Sequence, residues 1–445
     1  MESHRMILGL DIGTTSISAV MVSSGGSESV RALSRRHGAD VADQPTGVHE
    51  QCPGKILDVT LETIRCFAHQ TDEFIEAIAL TGQMHGILAV DAELNPLTNL
   101  ITWRDQRTAG YPSHLRNHPH AAETGCFLHP GYGGLTLHHL RQSGGLPGDT
   151  HKVLSIPGFI AAHLTGRCSV DETFAASWGI WDLAKNDWHD ALLESLGIPL
   201  ALLPQHVPSG TELGTVADAD SLGVAPSAVI YSPLGDNQAG VAAVLEPDSS
   251  EAVVNLGTSG QFSLPLAEYA FSPQLETRPL PGRGFLQVYA ALCGGWSYRY
   301  LACFFQQVIE QLGERQVPLS DVMARMQHFC QFTDSAGLQV DTRFAGQRYG
   351  DQRFGSVAGI DTENLTPCNL TRGFVNAMAA ELAVAAKNVD LSAIRGLVVV
   401  GNAVRQNPLL LTALEEQFGL PCRLAKSPEE AALGAAKSVL RLGNR

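Results

Sequence analysis

The chain has no apolar run approaching the roughly 20 residues of a membrane-spanning helix. Its apolar stretch from Met6 to Leu10 is cut by Asp11 before it reaches the length of a signal peptide. A cytosolic protein with no membrane partner is expected. Basic residues are scarce, 30 Lys and Arg against 45 Asp and Glu, for a formal net charge of −15. Nucleic acid and anionic bilayers are bound through dense basic surfaces, so both are disfavoured as partners. No C-x-x-C pair occurs among the nine cysteines, whose odd number in a long chain points to reduced thiols and away from a disulfide framework or zinc site. Also missing are the G-x-x-x-x-G-K-[ST] loop, a G-x-G-x-x-G after a strand, H-E-x-x-H and G-x-S-x-G. P-loop NTPases, dinucleotide-binding dehydrogenases, zincins and α/β-hydrolases lose their usual support. The adjacent pair His138-His139 would not face one another on a helix, which argues against zinc there.

What is present is a globular composition, 445 residues with 44% hydrophobic and 17% charged, long enough for two or three domains. Met6 to Leu10 reads as a strand, Asp11-Ile12-Gly13-Thr14-Thr15 as a turn, and Ile17, Ala19 and Met21 as a second strand. The same hairpin returns at Ala252 to Leu264 around Asn255-Leu256-Gly257-Thr258-Ser259-Gly260. Such a repeat suggests two related halves. The boundary is placed at Pro247-Asp248-Ser249-Ser250, giving domains 1–246 and 247–445. Strands are expected at Ile75 to Leu80, Ile87 to Val90, Leu100 to Trp103, Ala228 to Tyr231 and Leu397 to Val400. Helices are expected at Asn237 to Leu245, Pro408 to Phe418 and, behind the capping box Ser427-Pro428-Glu429-Glu430, Ala431 to Leu440. Strands and helices in this order predict an α/β fold.

A D-x-G-T-T turn suits nucleotide phosphates: glycine admits backbone N–H groups, threonine hydroxyls donate, and the carboxylate can anchor Mg²⁺. Asp11 is the metal candidate, and Gly257-Thr258-Ser259-Gly260 offers the same donors without the acid. Either turn alone is equally an ordinary hairpin. Asp236 lies where a strand ends and a helix begins, the sheet edge at which ligands collect, with Gly235 leaving room beside it. It could take a proton from an attacking hydroxyl, since phosphoryl transfer mainly demands alignment and charge neutralisation. On local sequence alone, a helix cap is slightly the better reading. Gln83, Met84 and His85 on one turn, and Trp103-Arg104-Asp105-Gln106-Arg107 at another strand end, mix hydrogen-bonding groups with apolar faces as a polyhydroxy ligand requires. Trp103, like Trp178, Trp181 and Trp188, could equally be core.

In this order, the turn Asp11 to Thr15, Gly82-Gln83-Met84-His85-Gly86, Trp103 to Arg107, Gly235-Asp236-Asn237-Gln238-Ala239-Gly240, the second turn, Gly401 to Asn407 and Ala431 to Ala436 resemble the FGGY carbohydrate kinases over nearly the whole chain. The resemblance implies two actin-like (ribonuclease H-like) ATPase domains flanking a central cleft, with ATP and Mg²⁺ as cofactors. It makes Asp236 the catalytic base and a metal ligand with Asp11. Gln83, Met84, His85, Trp103, Arg104 and Asp105 fall in the sugar pocket, and Thr14, Thr15, Ser16, Gly257, Thr258, Gly295, Gly401 and Asn402 on the ATP side. The G-Q-M-H-G turn looks most like xylulokinases. Thr124-Gly125-Cys126, Gly131-Tyr132-Gly133-Gly134, Ala175 to Gly179 and Leu234-Gly235-Asp236 look closer to sedoheptulokinases, the small residues suiting a seven-carbon ketose. Asn402-Ala403 and Gly346-Gln347-Arg348 depart from the pattern of many relatives. The expected activity is ATP-dependent phosphorylation of a terminal ketose hydroxyl, sedoheptulose before xylulose or another sugar or polyol, by a soluble enzyme that could act as a homodimer. The rival readings are a chaperone-type or polymerising ATPase of the same fold and a non-catalytic sugar sensor.

Overall fold

A computed structural model describes residues 5–24, 29–71, 73–291, 294–313, 315–330, 335–344, 354–427 and 429–442. Cys293, Gly346, Gln347, Arg348 and Pro428 fall outside them. The chain forms two units, one of Met1–Glu246, Leu266–Leu286 and Glu429–Arg445, the other of Pro247–Pro265 and Gln287–Pro428.

The first unit is built on a mixed sheet in the order Glu212–Thr215, Val229–Tyr231, Ile75–Gly82, Met6–Ile12, Ser16–Ser23, Ser29–Arg36. Met6–Ile12 and Ser16–Ser23 form the expected hairpin, Leu10 opposite Ala19, and Met6–Ile12 runs parallel to Ile75–Gly82. Central strands buried on both faces carry apolar residues at nearly every position. Leu8, Leu10 and Ile12 pack on one side with Ile56, Ile64 and Phe159. Ile7, Val20, Val22, Ala77 and Ala79 pack on the other with Ala432, Ala435 and Ala436.

Those alanines lie on the helix Glu430–Leu442, so the units are not the continuous stretches 1–246 and 247–445. The reason is steric fit. A Cβ on Gly434 would stand 1.7 Å from the Ala239 carbonyl oxygen of the helix Asp236–Val244, and one on Gly9 would stand 2.0 Å from that of Ala432. Backbones approach this closely only where side chains are missing. A second core holds Trp178, Trp181 and Trp188, whose rings lie 5.3–5.6 Å apart in successive contacts. All three are buried, as the core alternative expects.

In the second unit, Glu251–Leu256 and Gly260–Leu266 form the repeated hairpin. Glu251–Leu256 runs parallel to Gly396–Val400, which in turn runs parallel to Cys422–Leu424. A hairpin whose first strand pairs in parallel with a later strand thus occurs in both units. The helices Pro367–Ala383, capped by the Thr366 hydroxyl, and Leu409–Phe418 complete the unit's core. No helix among the described residues is long and apolar enough to cross a membrane. The eight described cysteines are free thiols.

Candidate active site

Asp11 is the penultimate residue of the strand Met6–Ile12, and Asp236 opens the helix Asp236–Val244 directly after Leu234–Gly235 pairs with Thr81 and Gly82. Gly235 is the residue at the cap position, and Asp236 is the first residue of the helix, its Oδ1 accepting from its neighbour Asn237 N at 2.7 Å. Burial, together with the Asp236 and Glu429 carboxylates, pushes the Asp11 carboxyl up to about 8. Burial pushes Asp236 up to about 6, against the pull of the Arg278 guanidinium and of Asn237 N–H. Oδ1 of Asp11 is buried and accepts no hydrogen bond among the described residues.

Arg278 is itself buried, Nη1 at 3.3 Å from Asn237 Oδ1 and Nε at 2.9 Å from Glu276 Oε2. Tyr132 donates to the other oxygen of Glu276 and stacks on His85, ring centroids 4.3 Å apart. Met84 is buried, with its sulfur 3.9 Å from Arg278 Nη1. His85 has a left-handed backbone, φ 71°, which a residue with a Cβ adopts only when held there. Its Nδ1 lies 2.6 Å from the Ser177 carbonyl oxygen, which can only accept, so that nitrogen carries the proton.

Trp103 Nε1 donates to the Thr14 hydroxyl at 3.0 Å, which lies 3.3 Å from Gln83 Oε1, and Gln83 donates to Gln51. Thr14, expected on the ATP side, therefore has its hydroxyl among the groups expected for the sugar. Arg104 lies over the Trp103 ring, 5.2 Å from its centroid. Asp105, expected in the sugar pocket, is instead enclosed: Oδ1 accepts from Arg107 N and Nε, and Oδ2 from Arg107 Nη2 and His49 N. Nor do the glycines near Tyr132 open space for a longer sugar. Cβ atoms on Gly133 and Gly134 would meet the Trp178 ring and carbonyl at 2.6–2.7 Å, so these residues serve helix packing.

Within the second unit, Gly257, Thr258, Gly295, Gly401 and Asn402 line one cavity of about 440 Å³, joined by Trp296, Arg299 and Gln327. Gly295 N donates to the Gly257 carbonyl at 2.8 Å, tying the two loops together. Gly401 has φ +99°, and a Cβ there would lie 2.4 Å from the Leu256 carbonyl oxygen. Ala403 of the departing pair lines the same cavity.

Away from both places, the ligand atoms of His120, Glu123 and His189 lie within 4.8 Å of one another. Nδ1 of His189 accepts from Leu192 N, so its proton is on Nε2 and faces Glu123 at 2.5 Å. Oε2 of Glu123 thus lies between His189 and His120, whose Nδ1 is 3.0 Å away, while His189 also caps a helix. His138 Nδ1 is engaged by the Leu196 carbonyl at 2.8 Å.

A family model for the N-terminal domain of the FGGY family of carbohydrate kinases matches residues 6–243. The chain belongs to that family. Mouse sedoheptulokinase is 25% identical over 99% of this chain and 98% of its own length. A xylulose kinase of Klebsiella pneumoniae is 26% identical over 58% of this chain and 54% of its own. The crystal structure of gluconate kinase from Lactobacillus acidophilus shares the fold, with a TM-score of 0.87 at 21% identity, covering 100% of this chain and 90% of that one.

This FGGY kinase is accordingly a phosphotransferase acting on a sugar hydroxyl, with two α/β units of the actin-like ATPase fold. From sequence alone Arg278 and Glu276 have no role, and Tyr132 and Ser177 stand only within stretches that resemble sedoheptulokinases. The available signal is the pair of opposite charges in Glu276-Thr277-Arg278, two residues apart on one face of the strand Glu276–Leu280.

Proposed function

We propose that this FGGY kinase transfers the γ-phosphoryl group of ATP to a terminal hydroxyl of a ketose, sedoheptulose in preference to xylulose. The observation that carries the reaction is the Asp236 carboxylate at a helix start beside a buried guanidinium. The preference for sedoheptulose is supported by likeness to mouse sedoheptulokinase along the full length of both chains.

Ionised Asp236 accepts the proton of the terminal hydroxyl as its oxygen attacks phosphorus in line, and the phosphoryl–ADP bond breaks. Arg278, anchored on Glu276, favours the ionised acid. The His85 ring, with Nδ1 donating to the Ser177 carbonyl, and Gln83, Met84 and Trp103 supply the sugar contacts. Thr258 and the glycines of the second unit's cavity serve the nucleotide. Asp11, with its orphaned buried oxygen, and Asp236 would hold a divalent cation. Mg²⁺ bound there neutralises phosphate charge.

A coupled assay of ADP release across sedoheptulose, xylulose and gluconate tests the reading. The expected result is a kcat/KM for sedoheptulose about tenfold or more above that for xylulose. The reverse order would replace it with a xylulose kinase, and ADP release independent of any sugar with a chaperone-type ATPase.

A further inference from the structure

The short helix Glu172–Ser177 carries two buried side chains, Thr173 and Ser177, four residues apart and so on the same face, about 6 Å from one another along the axis. At one end, the Thr173 hydroxyl donates to Asp171, 2.8 Å from each carboxylate oxygen. With its single proton committed there, its lone pairs are left for the N–H of Gly235, which donates to it at 2.8 Å. Gly235 is the residue immediately before Asp236. Asp171 is held in turn: it caps the helix by accepting from Phe174 N at 3.0 Å and accepts the Ser209 hydroxyl at 2.5 Å. At the other end, Ser177 holds His85 twice, its hydroxyl accepting from His85 N at 3.2 Å and its carbonyl from His85 Nδ1 at 2.6 Å. Those two bonds fall on the residue with the left-handed backbone.

We infer that this helix is a rigid bracket that sets the distance between the phosphoryl-accepting end of the site and its sugar-recognition end, with Thr173 and Ser177 as positioning residues. Thr173 fixes the Leu234–Gly235 peptide, one residue before Asp236, and Ser177 fixes the tautomer and backbone of His85. Neither touches substrate. The inference rests on the roles proposed above for Asp236 and His85. It predicts that the two ends separate kinetically: a fault at Thr173 misplaces the base and lowers kcat, and a fault at Ser177 loosens sugar binding and raises KM. Isosteric Thr173→Val leaves the Gly235 N–H without its acceptor and takes one of its three donors from Asp171, whereas Thr173→Ser keeps the hydroxyl.

The test is steady-state kinetics of four variants of the full chain, with melting temperatures. Thr173→Val is expected to lower kcat by about 30- to 100-fold, as small misplacements of a reacting group do, with sugar KM within about threefold of wild type, and Thr173→Ser is expected to recover kcat to within about threefold. Ser177→Ala is expected to raise sugar KM by about tenfold with kcat within about threefold. Equal losses in Thr173→Val and Thr173→Ser, or parallel changes in kcat and KM in both end variants, would overturn the bracket. Should Thr173→Val not fold, the KM-only effect of Ser177→Ala decides, and a kcat loss there overturns it. Asp236→Asn separates this inference from its foundation. An active Asp236→Asn defeats the base assignment, and an inactive one beside an unaltered Thr173→Val defeats the bracket alone.

Discussion

Nη1 of Arg278 stands 3.3 Å from Oδ1 of Asn237, which brings a buried guanidinium alongside the acid one residue earlier, Asp236. A cation in that position favours the ionised carboxylate, while burial favours the protonated one. With its carboxyl at about 6, Asp236 loses its capacity to accept a proton as pH falls, so kcat/KM should drop on the acid side with a midpoint near that value. Arg278→Met should move this midpoint up by about one pH unit and reduce activity at neutrality, and Arg278→Lys should move it less. A pH–rate profile of Arg278→Met that superimposes on wild type would remove the guanidinium from the account.

Asp236→Asn keeps the shape of the side chain and its bond from Asn237 N but not its basicity. Turnover should fall on the order of 10³-fold, with sugar binding by calorimetry little changed. Near-normal turnover would end the proposed mechanism.

Asp11, proposed above as a metal ligand, is a liability to the folded chain. Its folded value of about 8 lies above the ~3.9 of an unfolded aspartate. The unfolded chain therefore releases this proton first. Stability from the group is complete below about pH 4 and is lost as pH rises through about 8. In the absence of Mg²⁺, Asp11→Asn should melt several degrees above wild type at about pH 8, and the difference should shrink toward about pH 5. Added Mg²⁺ should raise the melting temperature of wild type and not of the variant, which should be inactive. A variant less stable than wild type at the higher pH would contradict the buried-charge account.

Gly401→Ala forces a Cβ to within 2.4 Å of the Leu256 carbonyl oxygen at a φ of +99°. The loop lining the second unit's cavity must move, and KM for ATP should rise by about tenfold or more, with a stability loss of about 1–3 kcal/mol. Sugar affinity measured by calorimetry without nucleotide should be unchanged. An unchanged KM for ATP would dissociate this cavity from the nucleotide.

Much of this molecule is legible in its residues because the chemistry concerned is local. The two hairpins can be read because turn residues and strand alternation lie within about fifteen consecutive positions, and Asp236 because a strand-to-helix junction is a local signature. Gly257, Thr258, Gly295, Gly401 and Asn402, distant in the chain, do gather round one cavity. Asp105 reads as a sugar ligand and is not free to be one, because Arg107, only two residues on, claims its carboxylate; the sequence holds both residues and not the geometry that joins them. Glycines 133 and 134 mislead because a small residue reads the same whether it makes room for a ligand or for a tryptophan. The alternating charges of Glu276 and Arg278 can be read, but not their burial, and the Asp171–Thr173–Gly235 chain has no signal in residue types because it joins positions 62 residues apart.

The close seating of the helix Glu430–Leu442 against Gly9 and Ala239 has a consequence for how the protein is made. The ribosome emits most of the first unit first, then the second unit interrupted by the first unit's Leu266–Leu286, and only afterwards the helix that covers the first unit's sheet, with Glu429 just ahead of it. Until then Ile7, Val20, Val22 and Ala79 lack part of their cover, and Asp11 lacks one of its acidic neighbours. The half of the enzyme translated earliest is thus the half completed last. An incomplete chain would expose that uncovered sheet to chaperones and proteases before it could bind sugar.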